Sequence, residues 1–293
     1  MHRPVMVDEV MNFLNLKPGD IVLDATTGGG SHAREMLKRI SPGGKLIGFD
    51  ADDAAIKIAS ENLREFTGSF KLFNENFRDL DRALSGEKVK SLNAVLFDVG
   101  VSSFQLDDKE RGFSIKEDAR LDMRMDRRLG VSAFDIINTY KEKDISDIIY
   151  KYGEERFSRK IARYIAEERR KKPIETTNEL SSIVRRAIGR GGKHLRIDSA
   201  TRTFQAVRIA VNDELAALEE GLKKAVSWLD LGARVAVITF HSLEDRIVKN
   251  LFKGYAGLGV LKIITKKPVF PSAEETAGNP RARSGRLRVA ERI

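Results

Sequence analysis

Three aspartates carry the first chemical signal in this chain. Asp24, Asp50 and Asp98 end the runs Ile21-Val22-Leu23-Asp24, Lys45-Leu46-Ile47-Gly48-Phe49-Asp50 and Asn93-Ala94-Val95-Leu96-Phe97-Asp98. Apolar runs of this length, bounded by turn residues, read as strands buried in a parallel sheet. Ligands of open α/β sheets sit beyond the carboxyl ends of the strands, so the three carboxylates are expected to line one crevice. Aspartates that merely cap the following helices would account for one or two of them, not for the set. After Asp24 the chain runs through Gly28-Gly29-Gly30-Ser31-His32. Glycines just behind a strand let the backbone turn sharply and lie against a ligand.

Which ligand is decided by charge. Gly28-x-Gly30-x-x-Ala33 satisfies the dinucleotide fingerprint, so an NAD(P)-dependent or flavin oxidoreductase is one reading. Against it, Asp24 stands where a pyrophosphate would approach, and a carboxylate there repels phosphate. It suits a ligand with an ammonium group and no phosphate. S-adenosyl-L-methionine is such a ligand, with an amine, a cationic sulfur and a ribose diol. On that reading Asp24, Gly28 and Gly30 face the methionine end and Asp50 accepts from the ribose hydroxyls. The spacing Asp24-x-x-x-Gly28-x-Gly30 is that of the first motif of class I methyltransferases. Acceptor chemistry then belongs at the fourth strand tip, from Asp98 to Leu106. Methylating an exocyclic amine requires a group to hold the N–H, in-line alignment and a place for the released proton. The Asp/Asn-Pro-Pro-aromatic sequence common in amino-methylating enzymes is matched here only by its aspartate.

The elements that must position these groups follow from periodicity. Ala33, Met36, Leu37 and Ile40 are spaced as one face of a helix behind the glycine turn,. Further strands are expected at Phe70–Phe73, Ala233–Phe240, Leu261–Ile264 and Leu287–Ala290. Between Leu106 and the fifth strand the β/α rhythm gives way to helices, among them one opened by the capping box Thr176-Thr177-Asn178-Glu179. An apolar stripe from Phe204 to Leu229 reads as one long helix returning the chain to the sheet. The polar segment Ser272–Ser284 reads as loop. The expected architecture is therefore a Rossmann-like α/β sheet built from residues 1–108 and 204–293, with an all-helical domain at 109–203.

Composition narrows the class. At 293 residues with 41% hydrophobic and 32% charged residues, the chain is long enough for two domains with real cores,. No run approaches a membrane span, and the N-terminus shows no apolar h-region, so neither membrane insertion nor a signal peptide is expected. The absence of cysteine excludes disulfides and thiolate chemistry and fits a reducing cytoplasm,. Four scattered histidines argue against a metal site. From Lys151 to Ala210 there are 16 basic and 7 acidic residues, so this fifth of the chain carries a charge equal to the whole net of +9. Such a concentration is the footprint of a phosphate-bearing partner, although a solvated helix face has the same composition.

Longer motifs then become specific. Asp98-Val99-Gly100-Val101-Ser102-Ser103-Phe104-Gln105-Leu106-Asp107, Arg111-Gly112-Phe113-Ser114 and Leu121-Asp122-Met123-Arg124-Met125-Asp126 resemble the bacterial 16S rRNA N4-cytosine methyltransferase family. So do Tyr152–Phe157, Ala200–Ile209, Phe240–Arg246, Asn279–Ser284 and the start His2-Arg3-Pro4-Val5, in family order from end to end. The resemblance implies a cytoplasmic class I methyltransferase with an inserted helical, RNA-recognising domain. It also implies transfer of a methyl group from S-adenosyl-L-methionine to N4 of a cytidine in the decoding region of 16S rRNA. Carried over by position, the cofactor contacts are Gly30, Ser31, His32, Asp50, Phe77, Asp98 and Gln105. The family has glycine where this chain has Ser31; a position needing positive φ would strain serine. A non-catalytic ribosome-binding factor on the same scaffold is the remaining alternative.

Several side chains are singled out individually. Asp98 either contacts the cofactor or holds the target amine. His241, directly after the fifth strand, is the candidate for a group near the target base. Phe104, Phe113 and Phe240 are candidates for stacking on an extruded cytosine. Lys171, Lys172, Arg185, Arg186, Lys193, Arg281, Arg283, Arg286 and Arg288 are expected to contact phosphates, which positions RNA without reading its sequence.

Overall fold

The computed structural model describes residues 4–189 and 198–293. The chain begins with α1 (Val7–Leu14), β1 (Ile21–Asp24), α2 (Ser31–Ile40), β2 (Lys45–Phe49), α3 (Asp53–Asn62), β3 (Phe70–Phe73), α4 (Leu80–Gly86) and β4 (Leu92–Asp98). Six helices follow: α5 (Ser103–Asp107), α6 (Ala133–Thr139), α7 (Glu142–Gly153), α8 (Ser158–Arg169), α9 (Thr177–Ile188) and α10 (Thr201–Asn212). The remainder is α11 (Glu214–Trp228), β5 (Leu229–Thr239), α12 (Ser242–Gly257), β6 (Leu261–Ile263), α13 (Ala273–Gly278) and β7 (Arg286–Arg292). Residues 1–100 with 215–293 form one compact unit, and residues 101–214 form another.

The first unit is an α/β sandwich on a seven-stranded sheet of order β3-β2-β1-β4-β5-β7-β6. All neighbouring pairs from β3 to β5 are parallel, whereas β7 runs antiparallel to both β5 and β6. Leu23 lies opposite Ile47 and Val95, and Val95 opposite Val235. These four side chains share a buried cluster with Leu84, Leu222 and Phe252 from α4, α11 and α12. Their sequence neighbours Val22, Leu46, Ala94 and Ala236 face the other way, into a cluster with Leu14, Met36 and Leu37 from α1 and α2. Burial on both faces is why these strands read as unbroken apolar runs. At about 1.5–3 kcal/mol for each fully buried large aliphatic side chain, the sheet is anchored from both sides and its strand ends are stiff. The strand order reverses between β1 and β4, the topological switch point where such sheets bind ligands.

The second unit is helical. Ile136, Ile145, Ile161, Ile165, Leu180, Phe204 and Val207 from α6 to α10 meet in its own buried core. The segment between α5 and α6 is tied down by polar groups. Asn212 accepts from Met125 N and donates to Met123 O, both at 2.7 Å. The buried Arg111 guanidinium donates to the carbonyls of Arg124 and Met125 at 2.8 and 3.0 Å.

Three sequence expectations change. The stripe from Phe204 to Leu229 belongs to two helices, because Asp213 between them adopts a left-handed conformation with φ 49°. Phe204, Val207 and Val211 face the helical core, while Leu218, Leu222, Val226 and Leu229 face the sheet core. Periodicity alone cannot see this break, since the spacing runs through it. The unit boundaries accordingly fall after Gly100 and after Glu214 rather than after residues 108 and 203, and α10 lies wholly within the helical unit. Within Ser272–Ser284, read as loop, the chain forms α13 and a 3-10 turn at Pro280–Ser284, the former capped by the Ser272 hydroxyl on Glu275 N at 3.0 Å,. Among the described residues no helix is long and apolar enough to cross a membrane.

Candidate functional site

The glycine turn is built by backbone conformation. Gly28 and Gly30 have φ of 52° and 83°, the left-handed region where a Cβ is disfavoured,. A Cβ on Gly30 would also come within 3.3 Å of Ala59 Cα and Leu63 Cγ, so this position closes the turn against α3. Gly30 is the N-cap of α2, and its carbonyl accepts from Arg34 N at 2.9 Å. Ser31 is therefore the first helical residue and has no positive φ. Serine is unstrained there, which removes the objection raised by the departure from glycine.

The three strand-end aspartates converge on this turn. Asp50 accepts from Gly28 N at 2.8 Å through Oδ2 and from Asp52 N at 2.9 Å through Oδ1. Asn74 supports it from β3, donating its amide to the carbonyls of Asp50 and Ala51 at 3.1 Å. Asp24 accepts from Thr26 N at 3.2 Å through Oδ1, and the Thr26 hydroxyl accepts from Asp98 N at 2.6 Å. Thr26 thus bridges the tips of β1 and β4 across the switch point. Nothing in the spacing of the motif marked it for this role.

Asp24 is fully buried among apolar strand ends, and Asp98 is part-buried with its Oδ1 out of solvent. Desolvation pushes the Asp24 carboxyl up to about 7, against a smaller opposing effect of its bond from Thr26 N, with the charge of Asp50 adding to the rise,. Asp98 is pushed up to about 8, again chiefly by burial, with Asp24 and Glu244 as repelling charges. Asp24 Oδ2 and Asp98 Oδ1 are buried and accept no hydrogen bond from the described residues. Two such oxygens are costly unless a ligand satisfies them. A cationic, hydroxyl-rich ligand does so; a pyrophosphate would instead hold both carboxyls protonated.

His32, on the first turn of α2, links this pair to the N-terminal segment. Its Nε2 lies 2.9 Å from Val5 O and its Nδ1 lies 3.7 Å from Asp98 Oδ2. Met6 next to Val5 donates its backbone N–H to Glu275 at 2.7 Å, so the segment preceding α1 is held by α13 as well. No motif in the sequence marks this strap. His2 and Arg3 lie outside the described residues.

Other expected site residues are placed differently. Phe77 packs edge-on against Phe97 at 5.3 Å and against Gly221, where a Cβ would meet the ring at 2.5 Å. His241 is the N-cap of α12: its Nδ1 accepts from Glu244 N at 3.3 Å, and Glu244 returns the bond by accepting from His241 N at 3.1 Å. Gln105, in the helical unit, closes a capping box with Ser102 at the start of α5. Phe113 is buried in the helical core beneath Arg111. Phe240 packs at the edge of the sheet core, and Phe104 is 39% exposed.

The expected phosphate contacts are the largest revision. Arg288 is only 7% exposed and grips Asp245 through two bonds of 2.6 and 3.1 Å, which makes it a tie between β7 and α12. Arg286 lies 3.9 Å from the same carboxylate. In the helical unit, Lys171 and Arg186 converge on Glu168 at 3.0 and 2.8 Å, Lys172 pairs with Glu179, and Arg185 pairs with Asp198 at 2.7 Å. Lys193 lies outside the described residues.

The whole chain, residues 1–293, matches the model of the MraW methylase family. It is 50% identical over 292 residues to a ribosomal RNA small subunit methyltransferase H from Sulfurihydrogenibium sp., covering all of this chain and 99% of that protein. Proteins of the same name from Clostridioides difficile and Geobacter sulfurreducens are 44% and 47% identical over 307 residues, each covering all of this chain and 99% of the relative. With a family model spanning every residue and relatives matched from end to end, this chain belongs to the MraW methylase family.

Proposed function

We propose that the protein transfers a methyl group from S-adenosyl-L-methionine to N4 of a cytidine in the decoding region of 16S rRNA, acting in the cytoplasm on the small ribosomal subunit. The observation that carries the reading is the pair of buried, unsatisfied carboxylate oxygens on Asp24 and Asp98 beside the glycine turn. It excludes a phosphate-bearing dinucleotide on electrostatic grounds and is met by a cationic donor. An oxidoreductase is thereby set aside.

The residues divide the work. Asp24 Oδ2 takes the ammonium group of the methionine end, which lies against the Gly28–Gly30 turn. Asp50, fixed by Gly28, Asp52 and Asn74, offers its remaining lone pairs to the ribose hydroxyls. When bound, the cofactor supplies an electrophilic methyl carbon whose bond to sulfur breaks as the bond to nitrogen forms. A positive charge in the crevice favours the ionised carboxylates, so Asp24 and Asp98 shed their protons when it arrives. Asp98 is thereby converted into an acceptor for the N–H of the target amine. It then takes up the proton released by that nitrogen, and the raised affinity created by its burial suits it to hold one,. His32 keeps its carboxyl oriented. Donor before base is the expected order of binding.

Active enzyme incubated with labelled donor and small subunits lacking the modification tests this reading. Label is expected on cytidine N4 in digested 16S rRNA; label on any other base, or none, would sink it.

A further inference from the structure

Two groups of cations in the helical unit differ in how their charge is matched. On and around α9, Lys171, Lys172, Arg185 and Arg186 each lie within ion-pairing distance of a carboxylate. Four cations share the three carboxylates Glu168, Glu179 and Asp198, so most of their field is cancelled locally. At the corner where α7 passes into α8 the arrangement is opposite. Lys151, Arg156, Arg159 and Lys160 are exposed and make no ion pair with any described residue. Three of them are held over aromatic rings instead: Lys151 over Tyr152 at 4.9 Å, Arg156 over Phe157 at 4.9 Å and Lys160 over Tyr164 at 5.9 Å. A ring face steadies a cation without neutralising it, so the positive field still reaches solvent. Of the two acids at the corner, Glu155 is buried and accepts from Phe157 N at 2.9 Å, while Glu154 is exposed.

The corner is also rigid and carries a free aromatic. Glu154 turns the chain in a left-handed conformation, with φ 49°. Gly153 before it is required by contact, since a Cβ there would fall 2.6 Å from Arg202 O of α10. Tyr150, at the end of α7, is 67% exposed. A fixed row of unneutralised cations beside an exposed ring is the chemistry that holds a single RNA strand, phosphates on the cations and a base on the ring. We infer that the α7–α8 corner, not α9, is the surface of the helical unit on which the rRNA strand docks. The inference rests on the rRNA reading above and adds to it the location of the strand.

The test compares two quadruple variants of the full chain. One changes Lys151, Arg156, Arg159 and Lys160 to Gln; the other changes Lys171, Lys172, Arg185 and Arg186 to Gln. Affinity for unmodified 16S rRNA is measured from low to moderate salt. Each lost contact to a single strand lowers the slope of log affinity on log salt by about 0.7, so the corner variant is expected to lose about 3. The α9 variant is expected to keep the wild-type slope. S-adenosyl-L-methionine affinity, measured on both by calorimetry, reports that each remains folded. Tyr150→Ala is expected to weaken RNA binding about tenfold with the slope unchanged, the mark of lost stacking. An unchanged slope in the corner variant, an equal loss in the α9 variant, or corner-dependent binding to anionic vesicles but not to RNA would overturn the inference. Loss of slope at the corner with no label on cytidine N4 would leave this docking surface standing and remove the target assigned above.

Discussion

His32 meets Asp98 through one nitrogen only, Nδ1 at 3.7 Å from Oδ2. The other nitrogen is 2.9 Å from the carbonyl of Val5, and a carbonyl can only accept, so Nε2 carries the hydrogen,. In the neutral ring, Nδ1 therefore presents a lone pair to a carboxyl group that burial keeps protonated well above the usual carboxylate range. The backbone of the N-terminal segment thus fixes the tautomer that the ring turns toward Asp98. Replacing His32 with Gln retains a donor for Val5 and removes the group facing Asp98. The kcat for methyl transfer is expected to fall about tenfold to a hundredfold, with the KM for the methyl donor little changed. Steady-state kinetics across pH 6–9 checks this; an unchanged kcat at every pH would show that His32 does not position Asp98.

Asp24 gives a prediction on stability and one on affinity, with opposite signs. Its folded pKa of about 7 lies above the unfolded value, so the folded state holds the proton more tightly. The resulting stability is fully present below about pH 4 and is lost as pH rises through 7; Asp98 behaves likewise up to about 8,. These two groups therefore draw the stability of the ligand-free protein down as pH rises from 5 to 8. Asp24→Asn is expected to raise the ligand-free Tm at pH 8 by several degrees and to weaken donor binding at least tenfold. Scanning calorimetry and titration calorimetry on the same samples read both. Donor affinity of the wild type is expected to rise from pH 6 to pH 8, because binding a cation releases protons from this pair.

The glycine turn separates two positions that look alike in sequence. Gly30→Ala forces a side chain into φ 83° and into contact with Ala59 and Leu63, and is expected to lower stability by about 1–3 kcal/mol,. Ser31→Gly places glycine at the first residue of α2, where it brings no conformational advantage, and is expected to cost at most about 1 kcal/mol. Donor affinity should fall in the first variant and stay within twofold in the second. Denaturant melts with paired calorimetry decide.

Arg288 is expected to act as a structural group. Arg288→Met leaves the part-buried Asp245 with only Arg286 at 3.9 Å to offset it, and should destabilise the protein by about 2–3 kcal/mol,. The salt dependence of RNA binding should not move. A reduced slope with unchanged Tm would return Arg288 to the RNA surface.

The sheet was readable because its strands are buried on both faces, so Val22-Leu23 and Leu96-Phe97 announce themselves without alternation. The aspartates were readable because a carboxylate at the end of such a run has little other reason to be there. What escaped were features set by backbone conformation or by partners distant in sequence. Asp213 adopts its left-handed turn without disturbing the apolar spacing around it. Thr26 acts through its hydroxyl, Asn74 through its side-chain amide and Val5 through its carbonyl, each on a partner distant in sequence. Arg288 and Lys172 are chemically the same as free phosphate binders, and only the carboxylate folded beside each reveals that its charge is already matched. His241 has the expected residue type at the expected strand end, and its Nδ1 also caps α12.

Asp213 also sets the order in which the molecule can be completed during synthesis. The helical unit is one uninterrupted stretch with a core of its own, finished when the left-handed residue ends α10. At that moment the sheet has only four of its seven strands, and α1 still waits for β5, whose Arg234 holds the carbonyl of Phe13 at 2.8 Å. A ribosome making this protein therefore releases a closed helical body first and carries beside it a half-built sheet with the edge of β4 unpaired. That edge is the segment a nascent-chain chaperone would have to shield until residue 239 has emerged.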